Sequence, residues 1–227
     1  MRGALFQILV SVAALAPAAA HAEAEEPKPA IAISYNASIV SDYRFRGISL
    51  SNRDPVMQGG LDLAFRSGFF LGTWASGIAS YGGSNVEVDL YGGYGGSLAG
   101  LDYSFSALGY VYPGAKAVDY VELQGTLGRA FGPVTTTLTV AYIPDQDNAD
   151  DNLYTALGAD IAVGDTPITA SASIGRENGG YDEKWDWSAG LTYKLDVMEI
   201  SASYVDSNYK GALEAGHNGG AGVVLSA

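Results

Sequence analysis

The feature that most limits what this sequence can fold into is a hydrophobic period of two, which dominates from Ala30 to the last residue. Ile168, Ala170, Ala172 and Ile174 alternate with Thr169, Ser171, Ser173 and Gly175. Trp185, Trp187, Ala189, Leu191 and Tyr193 alternate with Asp186, Ser188, Gly190, Thr192 and Lys194, and Val86, Val88 and Leu90 with Glu87, Asp89 and Tyr91. Successive strand side chains point to opposite faces, so each segment has one apolar face and one polar or small face. No stretch offers a comparable helical period. Twelve such segments run approximately over 31–46, 56–66, 69–79, 86–96, 101–112, 119–130, 134–143, 152–163, 168–176, 185–195, 198–206 and 219–227. Most are close to the roughly 9–11 residues that a tilted strand needs to cross a bilayer.

The connections add a direction. Five are tight (Ser67-Gly68, Ser97 to Gly100, Gly132-Pro133, Gly164 to Pro167 and Asp196-Val197). Six are longer, around 49–55, 80–85, 113–118, 144–151, 177–184 and 207–218, and the two kinds alternate along the chain. In an up-and-down antiparallel barrel this puts every long loop at one end, with the short turns and both termini at the other. The expected fold is therefore an all-β transmembrane barrel of about twelve strands, with short periplasmic turns and longer extracellular loops.

Period two does not say which face is wet, because a soluble barrel is apolar inside and a membrane barrel apolar outside. The polar face here is mostly Ser, Thr, Gly and scattered acids. Of the five lysines only Lys194 falls within an expected strand, whereas a water-facing exterior would carry many. Phe69, Phe70, Tyr103, Tyr142, Trp185, Trp187 and Tyr193 fall near strand ends on apolar faces, where interfacial girdles belong. Both features select the membrane orientation.

The start of the chain agrees. Residues 1–22 read as a cleaved export signal, with Arg2, an apolar run from Ala4 to Ala16 and an Ala20-His21-Ala22 cleavage site. An acidic, Pro-containing tail covers 23–30, and the barrel is expected over 31–227. The 227-residue sequence has no cysteine and only two histidines, and His21 leaves with the signal. Thiol chemistry, a histidine triad and a His-rich zinc site lose their reagents, so no enzyme and no cofactor is expected. A net charge of −13 argues against nucleic acid as a partner.

The stretch Ser41-Asp42-Tyr43-Arg44-Phe45-Arg46-Gly47-Ile48-Ser49 resembles the signature of the TorF-type porin family, also called Gcw_chp. The likeness continues through Gln58-Gly59-Gly60-Leu61-Asp62, Gly72-Thr73-Trp74-Ala75-Ser76 and Val86-Glu87-Val88-Asp89-Leu90-Tyr91-Gly92-Gly93-Tyr94. Tyr110-Val111-Tyr112-Pro113-Gly114 and Tyr204-Val205-Asp206-Ser207 also match family blocks. The resemblance implies a bacterial outer-membrane barrel. Its surroundings would be outer-membrane lipid and lipopolysaccharide, with the barrel assembly machinery as a partner during biogenesis. The chain departs from the usual barrel ending in Phe or Trp, finishing instead in Val223-Val224-Leu225-Ser226-Ala227.

A barrel gives the charges of the signature a place. With Tyr43 and Phe45 toward lipid on the first strand, Asp42, Arg44 and Arg46 face the lumen near the long-loop mouth. Glu87, Asp89 and Glu122 are expected at a similar height, and Asp62 faces the same lumen. Opposed arginines and carboxylates would set a transverse field that selects small hydrophilic solutes by charge. Expected lumen acids (also Asp102, Asp160 and Asp186) outnumber bases (Arg44, Arg46, Arg66 and Lys194), which implies a mild cation preference. The alternative is that the arginines pair with neighbouring acids and merely fill a closed barrel with a structural or surface-binding role. The acidic run Asp145 to Asp151 lacks the Gly and closing Glu of a calcium loop and is read as a solvated loop, so no metal site is expected.

Overall fold

A computed structural model of the protein describes residues 30–147, 149–180, 183–211 and 217–227. The expected export signal, and the expected tail up to residue 29, lie outside the described residues. The strands are β1 (Ile31–Val40), β2 (Arg44–Phe45), β3 (Ile48–Ser49), β4 (Val56–Phe65), β5 (Phe69–Tyr81), β6 (Ser84–Leu98) and β7 (Leu101–Val111). They continue with β8 (Tyr120–Phe131), β9 (Val134–Ile143), β10 (Asn152–Ala162), β11 (Ile168–Gly179), β12 (Lys184–Leu195), β13 (Met198–Ser207) and β14 (Gly222–Ser226). Twelve of them close a barrel in which each strand from β4 to β14 pairs with the next, and β1 lies between β4 and β14. All the pairings are antiparallel. No described helix is long and apolar enough to cross a membrane.

The alternation read from the sequence sets the faces. Along β1, Ile33, Tyr35 and Ile39 are exposed while Ser34, Asn36 and Ser38 turn inward. Met57, Leu71, Leu90, Phe105, Leu157 and Leu191 continue the exposed belt on the other strands. Large apolar side chains left out of a core would be costly in water, so this exterior suits acyl chains. Inside, serine and threonine pairs bridge strands: Ser104 with Thr126 at 2.7 Å and Ser173 with Ser188 at 2.8 Å. The expected aromatics Phe69, Tyr103, Tyr142, Trp185, Trp187 and Tyr193 lie in the outer belt. Phe70 does not: it shares the inward register of Gly72 and Trp74, opposite Gly93.

Three expectations about strands and loops are corrected. The first strand stops at Val40 rather than running to residue 46, and the chain then leaves the wall and folds into the lumen as the β2–β3 hairpin. Residues 80–85 are no long loop: β5 and β6 extend to Tyr81 and Ser84, leaving Gly82 and Gly83 as a two-residue turn. Both glycines have positive φ, which is what such tight hairpins demand. The final strand begins at Gly222, not at residue 219, and meets β1 through the Val40–Ser226 pair. Backbone bonds from Ser41 N to Leu225 O (2.8 Å) and Ile39 N to Ala227 O (2.9 Å) close that seam.

Candidate functional site

The hairpin is the centre of the site. After Val40 the turn at Asp42 ties the loop to itself: its carboxylate accepts Ser49 Oγ at 2.6 Å and Arg44 Nε at 2.6 Å. Arg46 (φ +48°) and Gly47 (φ +84°) form the hairpin tip, a pair of left-handed residues between Phe45 and Ile48. A side chain at Gly47 has no room, because a Cβ there would stand 2.8 Å from the Cβ atoms of Asp186 and Ser207. The tip therefore rests directly on the inner wall made by β12 and β13.

Tyr43, Arg44 and Arg46 each have a partner on a different part of the barrel. Arg44 reaches the carbonyls of Gly220 (2.7 Å) and Gly47 (3.3 Å), stapling the hairpin to the segment before β14. Arg46 forks between Glu122 on β8 and Glu177 on β11, the latter at 3.0 Å, and its guanidinium lies over the rings of Phe45 (4.5 Å) and Tyr154 (4.3 Å). Lys184 on β12 completes the lattice: its Nζ sits 2.5 Å from Glu177 and donates to the Arg46 carbonyl at 2.8 Å. Tyr43 donates its hydroxyl to Glu87 at 2.6 Å and sets its ring edge-on to Trp74 with centroids 5.4 Å apart. Burial, and then the charge of Glu87, raise the Tyr43 phenol above its ordinary range, so it remains a donor. Tyr112 reaches the other oxygen of Glu87 at 2.8 Å.

The expectation that Tyr43 and Phe45 face lipid is overturned. Both sit inside the barrel, in or against an aromatic and aliphatic cluster with Val40, Trp74, Ile78, Leu108, Tyr110 and Tyr112. The physical reason is that once the chain leaves the wall, the alternation of side chains no longer refers to inside and outside. Both faces of a lumen hairpin meet protein, so its apolar residues need inner apolar partners and its charges need buried counter-charges. The upper interior is thus partly apolar rather than uniformly hydrophilic.

Six of the seven residues singled out from the sequence lie around this level, and Asp62 stands further down the wall, paired across β4–β5 with Gly72. Asp42, Arg44, Asp62, Glu87, Asp89 and Glu122 are buried, and the Arg46 side chain is only 6% exposed. Arg46 meets Glu122 in direct contact rather than facing it across a gap, whereas Arg44 pairs within the hairpin. Asp62 accepts Tyr91 at 2.5 Å. Asp89 is fully buried, and neither of its carboxylate oxygens has a hydrogen-bond partner among the described residues. Of the other expected lumen groups, Asp186 is buried and accepts Tyr154 at 3.1 Å, and Asp160 accepts Ser171 Oγ at 2.6 Å. Asp102 accepts from Ser97, and Lys194 is largely exposed beside Glu199 at 3.5 Å. Arg66 lies exposed in the turn after β4.

The sequence pattern puts Glu177 and Lys184 in a loop, yet both are buried in the lumen. The signal was present: Ser171, Ser173, Gly175 and Glu177 keep one parity, as do Lys184, Asp186 and Ser188, so the two strands run further than the apolar face alone implies.

The profile of the family described as "Bacterial protein of unknown function (Gcw_chp)" matches residues 23–224. The chain belongs to this family. Among solved structures, the Gcw_chp chain is similar to the NanC porin in a rhombohedral crystal form, with a TM-score of 0.58 and 9% identity over 84% of this chain and 97% of that one. A looser likeness is to a porin refined at 1.8 Å, with a TM-score of 0.43 and 14% identity over 76% of this chain and 60% of that one. No curated protein matches. At these identities the likeness is one of fold: a porin-like twelve-stranded barrel.

Proposed function

We propose that this Gcw_chp protein is a porin-like channel of the bacterial outer membrane, passing small hydrophilic solutes or ions passively through a lumen narrowed and charge-filtered by the inward hairpin. The observation that carries the reading is the Asp42–Ser49 hairpin itself, folded into the lumen and held by Arg46 between Glu122 and Glu177. A protein that needed only a wall would gain little from desolvating so many charges, since a buried ion pair is often no better than a packed apolar residue. Such pairs do give a removable, position-specific closure. Solute selection falls to the acids around it, because buried carboxylates at Asp42, Glu87, Asp89, Glu122, Glu177 and Asp186 outnumber Arg44, Arg46 and Lys184. That excess favours cations. Neither step needs a cofactor or a catalytic group. The similarity in fold to the NanC porin supports the reading, as does the apolar outer belt.

A second reading rests on the same filling. With the hairpin seated, the interior at its level is packed, so the barrel would serve as a closed wall with a structural or surface-binding role. Liposome swelling and planar-bilayer recording separate the two. The channel reading expects solute flux and cation-selective steps that change when Arg44 and Arg46 are both replaced by alanine. Absence of flux in the native and the double variant alike leaves the closed barrel.

A further inference from the structure

We propose that Asp89 and the aromatic rings around it form a binding site for the ammonium head of a small organic cation, entered from the cavity on the far side of Trp74. The starting point is an electrostatic imbalance. Asp89 is fully buried, with both carboxylate oxygens unpartnered among the described residues. A carboxylate in that condition either holds a proton or gains from a positive group that reaches it. Its nearest acidic neighbour along the strand, Glu87, takes two tyrosine hydroxyls, and Glu122 takes Arg46 and, at 3.2 Å, Tyr110. All the cationic side chains of the hairpin lattice are thus committed elsewhere: Arg44 to Asp42, Arg46 to Glu122 and Glu177, and Lys184 to Glu177.

The walls specify the class of ligand. Asp89 pairs across the sheet with Trp74 on β5 and with Tyr110 on β7, so their side chains flank it on the lumen face. The hairpin covers the same two rings: Tyr43 packs on Trp74, and Phe45 packs edge-on to Tyr110 with centroids 6.0 Å apart. A carboxylate flanked by two aromatic rings, each backed by a further ring, suits a weakly hydrated ammonium, which ring faces attract and the acid neutralises. An inorganic ion is disfavoured, because among the described residues no three Asp, Glu or His side chains converge on one point.

Trp74 also supplies the way in. It lines a cavity of about 140 Å³ together with polar Asn36, Ser38, Thr192, Glu199, Ser201 and Ser226 and with Val197 and Met198 at the β12–β13 turn. That volume equals roughly four to five water molecules, enough for a head group the size of a methylated ammonium. Trp74 thus borders this cavity and, by its cross-strand pairing, Asp89 as well, and the proposed entry is a rotation of its indole that joins the two. The inference deepens the channel reading by naming the class of solute, and it depends on that reading only for the solute's passage.

The test is binding in detergent micelles, where passage plays no part. Replacing Trp185 and Trp187, both on the outer belt, by phenylalanine leaves Trp74 as the only indole. Choline chloride is expected to change its fluorescence saturably, while the uncharged isostere 3,3-dimethylbutan-1-ol is not. Asp89→Asn should weaken choline about tenfold or more, the loss of a charge-assisted contact. Titration calorimetry of choline into the otherwise native chain repeats the comparison without relying on the variant's fluorescence. An equal response to the isostere, no saturable response to choline, or equal choline affinity in a folded Asp89→Asn protein overturns the site. Choline binding without conductance leaves this site standing and removes the channel. Conductance without choline binding does the reverse.

Discussion

Arg46→Ala isolates the part of the structure on which the functional reading turns. The substitution removes the two ion pairs to Glu122 and Glu177 and the contacts over Phe45 and Tyr154. The two acids do not lose equally. Glu177 retains Lys184 at 2.5 Å and Asn152 at 2.8 Å, whereas Glu122 retains, among the described residues, only Tyr110 at 3.2 Å. Breaking a buried pair by removing one partner costs about 3–5 kcal/mol, and here most of it falls on stranded Glu122. Every ladder of the wall is left intact, so the cost lands on the seating of the hairpin rather than on the barrel. A loss of about 4 kcal/mol shifts the ratio of seated to displaced hairpin by roughly a thousandfold. Arg46→Lys keeps the charge without the planar fork and should fall between. The assay is limited trypsin digestion in micelles, read at the Arg44–Phe45 bond. That bond is shielded when the hairpin is seated, and its cleavage rate follows the displaced fraction when reclosing is fast. Parallel bilayer recordings should show longer or larger conducting events. If Arg46→Ala leaves both the cleavage rate and the conductance at native values in a folded barrel, the arginine does not hold the hairpin and the closure argument fails.

Gly47→Ala should displace the same hairpin by a steric route. The new Cβ would meet Asp186 and Ser207 at 2.8 Å and sit at a φ of +84°, so Arg44–Phe45 cleavage should accelerate while the barrel's thermal transition stays in place. Tyr43→Phe removes the 2.6 Å bond to Glu87, and at about 1.5–3 kcal/mol for a hydrogen bond to a charge it should expose the hairpin about tenfold or more in the same digestion. The orientation of the wall is checked by a pair of charges measured in urea unfolding from lipid vesicles. Leu157→Arg, outward at the middle of β10, should cost about 2–4 kcal/mol, whereas Ser173→Asp, inward on β11, should cost far less. The reversed order would turn the barrel inside out.

The wall of the barrel was legible because its determinant is local. A side chain's face follows from its parity within one strand, so Ile168 to Ile174 or Trp185 to Tyr193 can be assigned without knowing any neighbour. Tight turns such as Gly132-Pro133 are equally local, and they fixed the strand count. The composition of the two faces then decided which one met lipid. What the local pattern could not give was where a strand ends when its alternation continues. Asp42, Arg44 and Arg46 keep the parity of lumen residues, and that parity alone points Tyr43 and Phe45 to lipid. Nothing within Ser41 to Ser49 distinguishes a strand that continues from a hairpin that turns in.

That choice belongs to tertiary structure. The partners that hold the hairpin stand far away in sequence: Glu87 for Tyr43, Glu122 and Glu177 for Arg46, Gly220 for Arg44. They become neighbours only when the barrel closes and brings β6, β8, β11 and the β13–β14 connection around one axis. The isolation of Asp89 is of the same kind, since an unpartnered carboxylate is defined by where every other charge has gone. Periodicity along the chain therefore determined the wall and its two faces. Closure of the sheet decided what fills it, because a counter-charge can be assigned only after the distance to it is set.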